Sequence, residues 1–329
     1  MRLISERLVE ELLPLELAVQ SADEAFRALS SGQAIVPLRG EIPRPGQGIV
    51  MVMSGVVGDR DLAVKTIGSV ANADDPGSKH TTCMMLVWDA RTLKVRGLIA
   101  ADTLNEHRTA AGMALAAREL ARPDSKVHLL VGAGKLAWTA LLHTAMVRPL
   151  TRTILLSRSR DKVQALAQRA AADPRLKHMD IVTDMDPGEA VRQADIITTV
   201  TTSDTPVFDG SQVRPGTHIN LGGAFRPTSR EMDDAAAARA SVWLDDSAAC
   251  RVRSGDVVMA LASGSLTEQR IRGEIGAMLL GKVPGRQSAE EVTVFKSLGV
   301  AVQDIVLGAR LMDLADARGL GVVFDESGA

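Results

Sequence analysis

The segment Gly132-Ala133-Gly134-Lys135-Leu136-Ala137 constrains the fold of this 329-residue chain more than any other. It follows the apolar run Val127–Val131 and opens a stretch with helical patterning, so its glycines lie between a strand and a helix. At such a turn Gly132 permits tight bending, Gly134 lets the backbone approach a diphosphate, and Ala137 allows close packing of the helix. The helix N-terminus also favours phosphate charge. The segment therefore predicts a dinucleotide site that includes residues 132–136, with a merely structural glycine turn as the alternative.

Short apolar runs and helical stretches alternate through the centre of the chain. The candidate strands are Val127–Val131, Thr153–Leu156, Met179–Thr183, Ala194–Val200, His218–Gly222 and Ser241–Leu244, and the candidate helices are Lys135–Val147, Arg160–Ala172 and Glu231–Arg239. This alternation is typical of a parallel sheet with helices on its faces. It predicts an α/β protein in which residues 123–291 form a doubly wound, Rossmann-type nucleotide domain, entered through a hinge at Pro123.

The two ends of the chain carry a different pattern. Predicted helices are Ser21–Ser30, followed by Gly32, and a long one at Val292–Leu320 that ends at Gly319; predicted strands are Gly48–Met53, Leu62–Thr66 and Thr82–Trp88. These segments combine helical spacing with short runs typical of a mixed sheet. We expect residues 1–122 and 292–329 to form one α+β domain that supplies the substrate site.

Composition excludes several classes of protein. The 38 basic and 40 acidic residues give a net charge of −2, which predicts no nucleic-acid partner. No apolar run approaches the roughly 18 residues that span a bilayer, and Met1–Gln20 mixes charges of both signs, so we expect a cytoplasmic protein without membrane contact. Cys83, Cys250 and the histidines lack the spacing of a zinc site. Without any tyrosine, the chain cannot supply the Tyr-x-x-x-Lys proton donor of short-chain dehydrogenases.

The end of the second central strand predicts which dinucleotide binds. An acidic residue at this point would accept hydrogen bonds from a ribose 2′-hydroxyl, but no carboxylate occurs before Asp161. Hydroxyl and guanidinium groups suit a 2′-phosphate instead, with solvated arginines as the alternative. We predict NADPH as the cofactor, with NADH binding more weakly, and assign to it Ser157, Arg158, Ser159 and Arg160, together with Val200 and Thr201 after the fourth strand.

Four motifs follow one another along nearly the whole chain. They are Arg-Thr-Ala-Ala-x-x-Ala-Leu-Ala-Ala from Arg108, the glycine segment above, Gly-Gly-Ala-Phe-Arg-Pro-Thr-Ser-Arg-Glu-Met-Asp at 222–233, and Val-Phe-Lys-Ser-Leu-Gly-Val-Ala-Val-Gln-Asp at 294–304. In this order they resemble the ornithine cyclodeaminase/mu-crystallin family. The resemblance implies a homodimer whose substrate and dimerisation domain comes from both chain ends, and chemistry at the C2–N bond of amino acids or their imines.

The resemblance also implies roles for individual residues. Lys65, in Leu62-Ala-Val-Lys-Thr, matches the family lysine near the substrate, and Arg108 matches the carboxylate-binding arginine. We predict these two as catalytic. Arg39 matches a second arginine of the same kind, and Thr109 stands where a nicotinamide contact is expected. The alternatives are a lysine that extends towards solvent and, for Arg39, a surface ion pair.

Two departures from the family pattern narrow the activity. Ala224, a predicted substrate contact, stands where the cyclodeaminases carry an aspartate, and a second expected acid falls on 51–53, which reads Met-Val-Met. Cyclisation of ornithine needs a base to free the attacking amine, so these departures favour the reductase branch. Asp204 is read as a turn residue, and the region of Glu231 and Asp233 as a helix N-terminus. His80 and His107 receive no role.

We therefore expect NADPH-dependent reduction of a cyclic or linear α-imino acid, such as the ketimine 1-pyrroline-2-carboxylate, to an L-amino acid. Three alternatives stay open: an L-amino-acid dehydrogenase, a retained ornithine cyclodeaminase, and a low-turnover protein that binds ligands in an NADPH-dependent way. Orientation of the substrate and local electrostatics would supply much of the rate, because a protonated imine already accepts hydride readily.

Overall fold

A computed structural model describes residues 1–45, 48–71 and 79–325. The chain divides into two compact units, the first formed by Met1–Arg108 with Gly299–Ala329 and the second by Thr109–Leu298. Within the described ranges, none of the helices combines the length and the apolar character needed to cross a bilayer.

The elements are numbered in chain order. The strands are β1 (Arg2–Ile4), β2 (Ala34–Ile35), β3 (Gly40–Arg44), β4 (Gly48–Val57), β5 (Asp61–Ala71), β6 (Lys79–Asp89), β7 (Val95–Ala100), β8 (Val127–Val131), β9 (Arg152–Leu156), β10 (Asp180–Val182), β11 (Ile196–Thr199), β12 (His218–Leu221), β13 (Ala240–Leu244), β14 (Ile271–Glu274), β15 (Val292–Lys296) and β16 (Val322–Val323). The α-helices are α1 (Glu6–Leu12), α2 (Leu15–Ser31), α3 (Asp102–Leu120), α4 (Lys135–Val147), α5 (Arg160–Ala172), α6 (Pro187–Gln193), α7 (Asp234–Ala237), α8 (Ser247–Arg253), α9 (Gly255–Ser263), α10 (Ile275–Leu279) and α11 (Ala301–Arg318).

The first unit contains a mostly antiparallel sheet in the order β16-β1-β7-β6-β5-β4-β2, with β3 also paired to β4. The side chains of β4 to β7 alternate, as expected for strands with one buried face. On that face α11 packs against β4 to β7 and against α2. The register aligns Met53, Lys65, Met85 and Ile99 across four strands, all buried. Lys65 is thus a cation within an apolar row.

The second unit is a parallel sheet in the order β10-β9-β8-β11-β12-β15-β13-β14. The six predicted central strands are confirmed, and α4 and α5 have the predicted bounds. The Rossmann-type α/β architecture predicted from the alternating pattern is present. Its first five strands follow the usual doubly wound order, whereas β15, the last of the eight in sequence, is inserted between β12 and β13.

The predicted helix over Val292–Leu320 is wrong at its start. Residues Val292–Lys296 form β15, which is buried along its whole length, and α11 begins only at Ala301. A short apolar run buried on both faces has no distinguishing periodicity, so it was indistinguishable from the first turns of an apolar helix. Gly299, with φ 81°, lies in the connection between the two elements. The predicted end of α11 at Gly319 is confirmed.

The predicted helix over Glu231–Arg239 is reduced to α7, which begins at Asp234. The backbone N–H groups of Glu231 and Met232 donate to the Asp256 carboxylate at 2.7 and 2.9 Å, which holds them outside the helix. Asp233 caps the helix by accepting from Ala236 N at 2.8 Å. Its interpretation as a residue of the helix start is confirmed, whereas Glu231 lies before the helix.

Candidate functional site

The glycine loop connects β8 to α4 in the predicted strand, turn and helix order. Gly132 has φ 115°, and a Cβ there would lie 2.8 Å from Val200 O, so only glycine fits. Gly134 is the N-cap of α4 and is exposed, and a Cβ there would meet no atom within 4 Å. Ala137 is fully buried, as its packing role requires. An open backbone before a helix of 13 residues fits the diphosphate of a dinucleotide.

The loop after β9 carries the side chains predicted to favour NADPH over NADH. Ser159 Oγ accepts from Lys162 N at 3.4 Å and caps α5, and Ser157 Oγ accepts from Ser159 N. Arg158 is exposed and forms no hydrogen bond or ion pair within residues 1–45, 48–71 and 79–325. Arg160 lies 3.9 Å from Asp184, and both side chains are more than 90% exposed, so this pair is weak. The serine hydroxyls thus shape the loop, while both guanidiniums remain accessible to an anion.

Glu231 joins the loops that follow β11 and β12. Its side chain is fully buried and accepts from Thr201 N and Thr201 Oγ1 through one oxygen, and from Gly223 N and Ala224 N through the other, at 2.7–3.1 Å. The expectation of a helix N-terminal residue is therefore wrong for Glu231. Asp204 lies in the first of these loops and accepts from Ser229 Oγ at 2.6 Å.

Lys65 and Arg108 lie together in the first unit, held by a carboxylate that the sequence analysis did not assign. Lys65 Nζ donates to Asp304 Oδ1 at 2.6 Å and to Asn105 Oδ1 at 2.8 Å. Arg108 Nε is 3.0 Å from the same Asp304 oxygen. Each of these three charged side chains is at least nine-tenths buried.

The guanidinium of Arg108 has further contacts that fix its plane. Its Nη2 donates to Asn105 Oδ1 at 2.8 Å, and its Nη1 to Gln303 Oε1 at 3.4 Å. Gln303 Nε2 in turn donates to Arg108 O at 3.0 Å. A Cβ at Gly299 would collide with the guanidinium, so this glycine makes room for it. Asp304 Oδ2 is buried and has no hydrogen-bond partner among the described residues.

Burial and the charge of Asp304 have opposite effects on the pKa of Lys65. Desolvation lowers the pKa of Lys65 from 10.5 to about 8, the negative charge of Asp304 opposes this shift, and Arg108 adds to it. Cys83, buried nearby on β6, has a pKa raised to about 12 by burial. With Lys65 protonated, the two cations and the one carboxylate have a formal net charge of +1. The arrangement can therefore hold an anion such as a carboxylate.

Arg39 and His80 lie beside or on strands of the first unit, and His107 and Thr109 lie on α3. Arg39 Nε forms an ion pair with Glu41 at 3.3 Å, and the two side chains are 14% and 35% exposed. Arg39 directly precedes β3, where Gly40 pairs with Val52 of β4. His80 is exposed and lies 3.4 Å from Thr82 Oγ1. His107 and Thr109 flank Arg108 on α3.

The two places that lack the cyclodeaminase acids are residues 51–53 on β4 and Ala224, and of these residues Met51, Met53 and Ala224 are buried. Met53 is the residue directly opposite Lys65 on β4, and its side chain is 5% exposed. Ala224 is 3% exposed, and its backbone is held by Glu231 and by Lys296 Nζ, which donates to Ala224 O at 2.6 Å. The carboxylate in contact with Lys65 comes instead from Asp304 on α11.

Sequence reasoning missed Asp304, Gln303 and Asn105. The signal for the first two was present, because a polar pair interrupts the apolar stretch Val300–Leu307 within a motif that carried the family resemblance. Asn105 is three residues before Arg108 on α3, a spacing that places both on one helical face. Among the described residues no group of three or more His, Cys, Asp or Glu side chains could hold a metal ion.

The chain is similar over nearly its whole length to known proteins of one family. The profile of the ornithine cyclodeaminase/mu-crystallin family matches residues 2–317. A Delta(1)-pyrroline-2-carboxylate reductase of Bacillus cereus is 30% identical over 327 residues, covering 98% of each chain. The reductase of that name from Thermococcus litoralis, solved with NADH and L-proline, is 28% identical with a TM-score of 0.93 over 98% of this chain and 100% of that one.

An archaeal alanine dehydrogenase dimer with bound NAD shares the fold alone, at 24% identity and a TM-score of 0.91 over 99% of each chain. The family profile spans nearly all of the sequence, and the four motifs occur in the order that the resemblance required. The chain belongs to the ornithine cyclodeaminase/mu-crystallin family.

Proposed function

We propose that this protein is an NADPH-dependent reductase that converts an α-imino acid, with a cyclic ketimine such as 1-pyrroline-2-carboxylate as the first candidate, to an L-amino acid. The observation that carries the proposal is the buried group of Lys65, Arg108 and Asp304. Its formal net charge of +1 would be neutralised by one bound anion. The carboxylate of an imino acid is such an anion. The reductases from Bacillus and Thermococcus support the same substrate class.

In this proposal Arg108 and Lys65 hold the substrate carboxylate and thereby fix the position of C2. Arg108 is suited to this because its plane is already set by Asn105 and Gln303, which reduces the entropy lost on binding. A nicotinamide cofactor held by residues 132–136 and 157–160 would supply hydride. On addition of hydride to C2, the C=N electron pair would move to a nitrogen that already carries a proton. Arg39 and Ala224 as substrate contacts, and Thr109 as a nicotinamide contact, remain predictions.

The proposal includes a preference for NADPH over NADH. Residues 157–160 contain no carboxylate, and the guanidiniums of Arg158 and Arg160 are accessible. Replacing Arg158 by Asp removes a charged hydrogen bond worth roughly 1.5–3 kcal/mol and adds repulsion, so the preference should move towards NADH by about tenfold or more. Dissociation constants for both cofactors, measured by quenching of protein fluorescence, test this. Equal affinity of the unmodified protein for both would contradict the preference.

We also propose that the protein acts as a homodimer. The second face of the sheet in the first unit carries partly exposed apolar side chains, among them Val64, Leu86 and Leu98, which lie in register across β5, β6 and β7. A contiguous apolar face of this kind is typical of a protein interface. A second copy of the same sheet would cover it symmetrically.

The decisive assay follows the absorbance of NADPH with a panel of cyclic and linear ketimines. We expect oxidation of NADPH with at least one cyclic ketimine and no ammonia from L-ornithine with NAD, because neither residues 51–53 nor Ala224 supply a base. Arg108→Lys retains the positive charge beside Asp304 but loses the planar guanidinium, which can donate two parallel hydrogen bonds to a carboxylate. The KM for the ketimine should therefore rise roughly tenfold or more, while NADPH affinity stays unchanged. Sustained conversion of ornithine to proline would overturn the reductase assignment.

A further inference from the structure

A buried chain of charged side chains lies below the loops after β11 and β12. Glu231 binds four donors from these loops, and none of its oxygen atoms is left without a partner. Its own backbone N–H donates to Asp256 Oδ1 at 2.7 Å. Lys296 Nζ then donates to Asp256 Oδ2 at 2.8 Å and to Ala224 O at 2.6 Å. Glu231, Asp256 and Lys296, which we call the carboxyl-edge network, are each 2% exposed or less.

The unusual strand order explains how the lysine reaches this place. Lys296 is the last residue of β15, which is inserted beside β12 and pairs with it up to Leu221. The carboxyl end of β15 therefore lies next to the loop that begins at Gly222. Asp256 is in the first turn of α9, and a Cβ at Gly255 would lie within 3.0 Å of Arg226 O, so this helix start is pressed against the same loop.

The loops held by the network adjoin the glycine loop. Thr201 directly follows Val200, whose carbonyl oxygen approaches Gly132 too closely for any side chain there. In doubly wound sheets, ligands bind outside the carboxyl ends of the strands, with one half of a dinucleotide on each side of the point where the strand order reverses. That point lies between β8 and β11, so β11 and β12 belong to the half away from β9.

From this placement we infer that Glu231, supported by Asp256 and Lys296, positions the backbone that receives the nicotinamide half of the cofactor. The inference deepens the proposed function and rests on it. Glu231 is a positioning residue. Its carboxylate already accepts four hydrogen bonds from the protein, so it acts on the cofactor only through residues 201 and 223–224. Its two oxygens serve different loops, so shortening or neutralising it should release one loop from the other.

Asp195 provides a matched control at the opposite edge of the same sheet. It directly precedes β11, is 8% exposed, and its Oδ2 accepts from Lys126 N and Val127 N at 2.9 and 3.0 Å. Asp195 therefore joins the amino ends of β8 and β11 much as Glu231 joins loops at the carboxyl edge. A purely structural role for Glu231 predicts that Glu231→Gln and Asp195→Asn behave alike.

The test compares binding of NADPH and of 2′-phospho-ADP-ribose, which lacks the nicotinamide, to the full-length protein. In Glu231→Gln the amide NH2 faces at least one backbone N–H donor in either orientation, so the Kd for NADPH should rise roughly tenfold or more. The Kd for 2′-phospho-ADP-ribose should stay at the unmodified value. Asp195→Asn should lower the melting temperature and leave both dissociation constants unchanged. Glu231→Asp retains the charge but reaches only one loop, so it should raise the Kd for NADPH by a smaller factor. This variant replaces Glu231→Gln in the test if the Gln variant does not fold.

The outcomes separate the two proposals. If the unmodified protein binds neither NADPH nor NADH, the proposed function fails. If it binds NADPH and a folded Glu231 variant binds it equally well, the positioning role is overturned while the proposed function stands. If NADPH and 2′-phospho-ADP-ribose both bind the variant more weakly by the same factor, the positioning role is also overturned, because the effect is then not confined to the nicotinamide half.

Discussion

Asp304 is the residue on which the protonation of Lys65 depends. Without a negative charge nearby, a lysine as deeply buried as Lys65 would lose its proton more readily. Asp304 opposes that loss, and the resulting pKa of about 8 leaves Lys65 charged in most molecules at neutral pH. The one carboxylate thus keeps two cations in place and still leaves the net positive charge that an imino acid requires.

This balance predicts a pH dependence. Lys65 carries its proton below its pKa, so kcat/KM should decrease as the pH rises through about 8. Replacing Asp304 by Asn removes the charge that raises the pKa of Lys65, so the decrease should begin at lower pH. The measurement is kcat/KM for the cyclic ketimine across the alkaline range, for both proteins. If the decrease does not move, it belongs to the imine and not to Lys65.

The sequence was informative about residues whose type is unusual for their place. A lysine in the apolar run of β5 and an arginine on a small-residue helix could both be identified. Asp304 is marked only by the polar pair at 303–304, which interrupts an apolar stretch. Its contacts with Lys65 and Arg108 are tertiary, so no local pattern indicates them. The prediction for Glu231 is wrong for the same reason. Its backbone N–H donates to Asp256, 25 residues away in the chain, and this hydrogen bond outweighs the helix propensity at 231–239.

The glycine loop makes a prediction at the scale of one strand, turn and helix. A Cβ at Gly134 meets nothing within 4 Å, and its φ of −83° suits any residue, so Gly134→Ala should fold with a nearly unchanged melting temperature. If a diphosphate approaches this backbone, the added methyl group should nevertheless weaken NADPH binding by roughly tenfold or more. Calorimetric melting and NADPH titration of the same preparation measure both effects.

Gly132→Ala provides the contrast. Gly132 has φ 115° and a Cβ there would be too close to Val200 O, so an alanine strains the backbone whether or not a cofactor is bound. We expect that variant to lose both stability and NADPH affinity. Unchanged NADPH affinity in Gly134→Ala would mean that the loop is only a structural turn.

Elements with a clear period could be predicted from the sequence, and those decided by neighbours could not. The bounds of α4 and α5 follow from helical spacing, and Gly32 and Gly319 end their helices in the left-handed conformation. By contrast, β15 is separated from its partner β12 by a long stretch of chain, and nothing local indicates that it enters the sheet. The carboxyl-edge network depends on that insertion, which is why it too was missed.

At the scale of the whole molecule, the two faces of the first unit's sheet differ. One is covered by α11, whereas the other leaves Leu86 and its cross-strand neighbours Val64 and Leu98 partly exposed. An antiparallel sheet can face water on one side, but such a face is then normally polar. Here it is apolar, so the single chain exposes surface that a second copy would remove from water.

Leu86→Glu tests whether that surface forms the dimer. A charge at the centre of the face would have to be buried without a partner on association, at a cost of several kcal/mol, whereas in the single chain it points to solvent. We expect sedimentation velocity to give twice the mass of one chain for the unmodified protein and the mass of one chain for Leu86→Glu. Val252→Glu, on an exposed helix of the second unit where Val252 is 70% exposed, should remain a dimer. A folded Leu86→Glu variant that still sediments as a dimer would place the interface elsewhere, and an unmodified protein that sediments as a monomer would refute the homodimer.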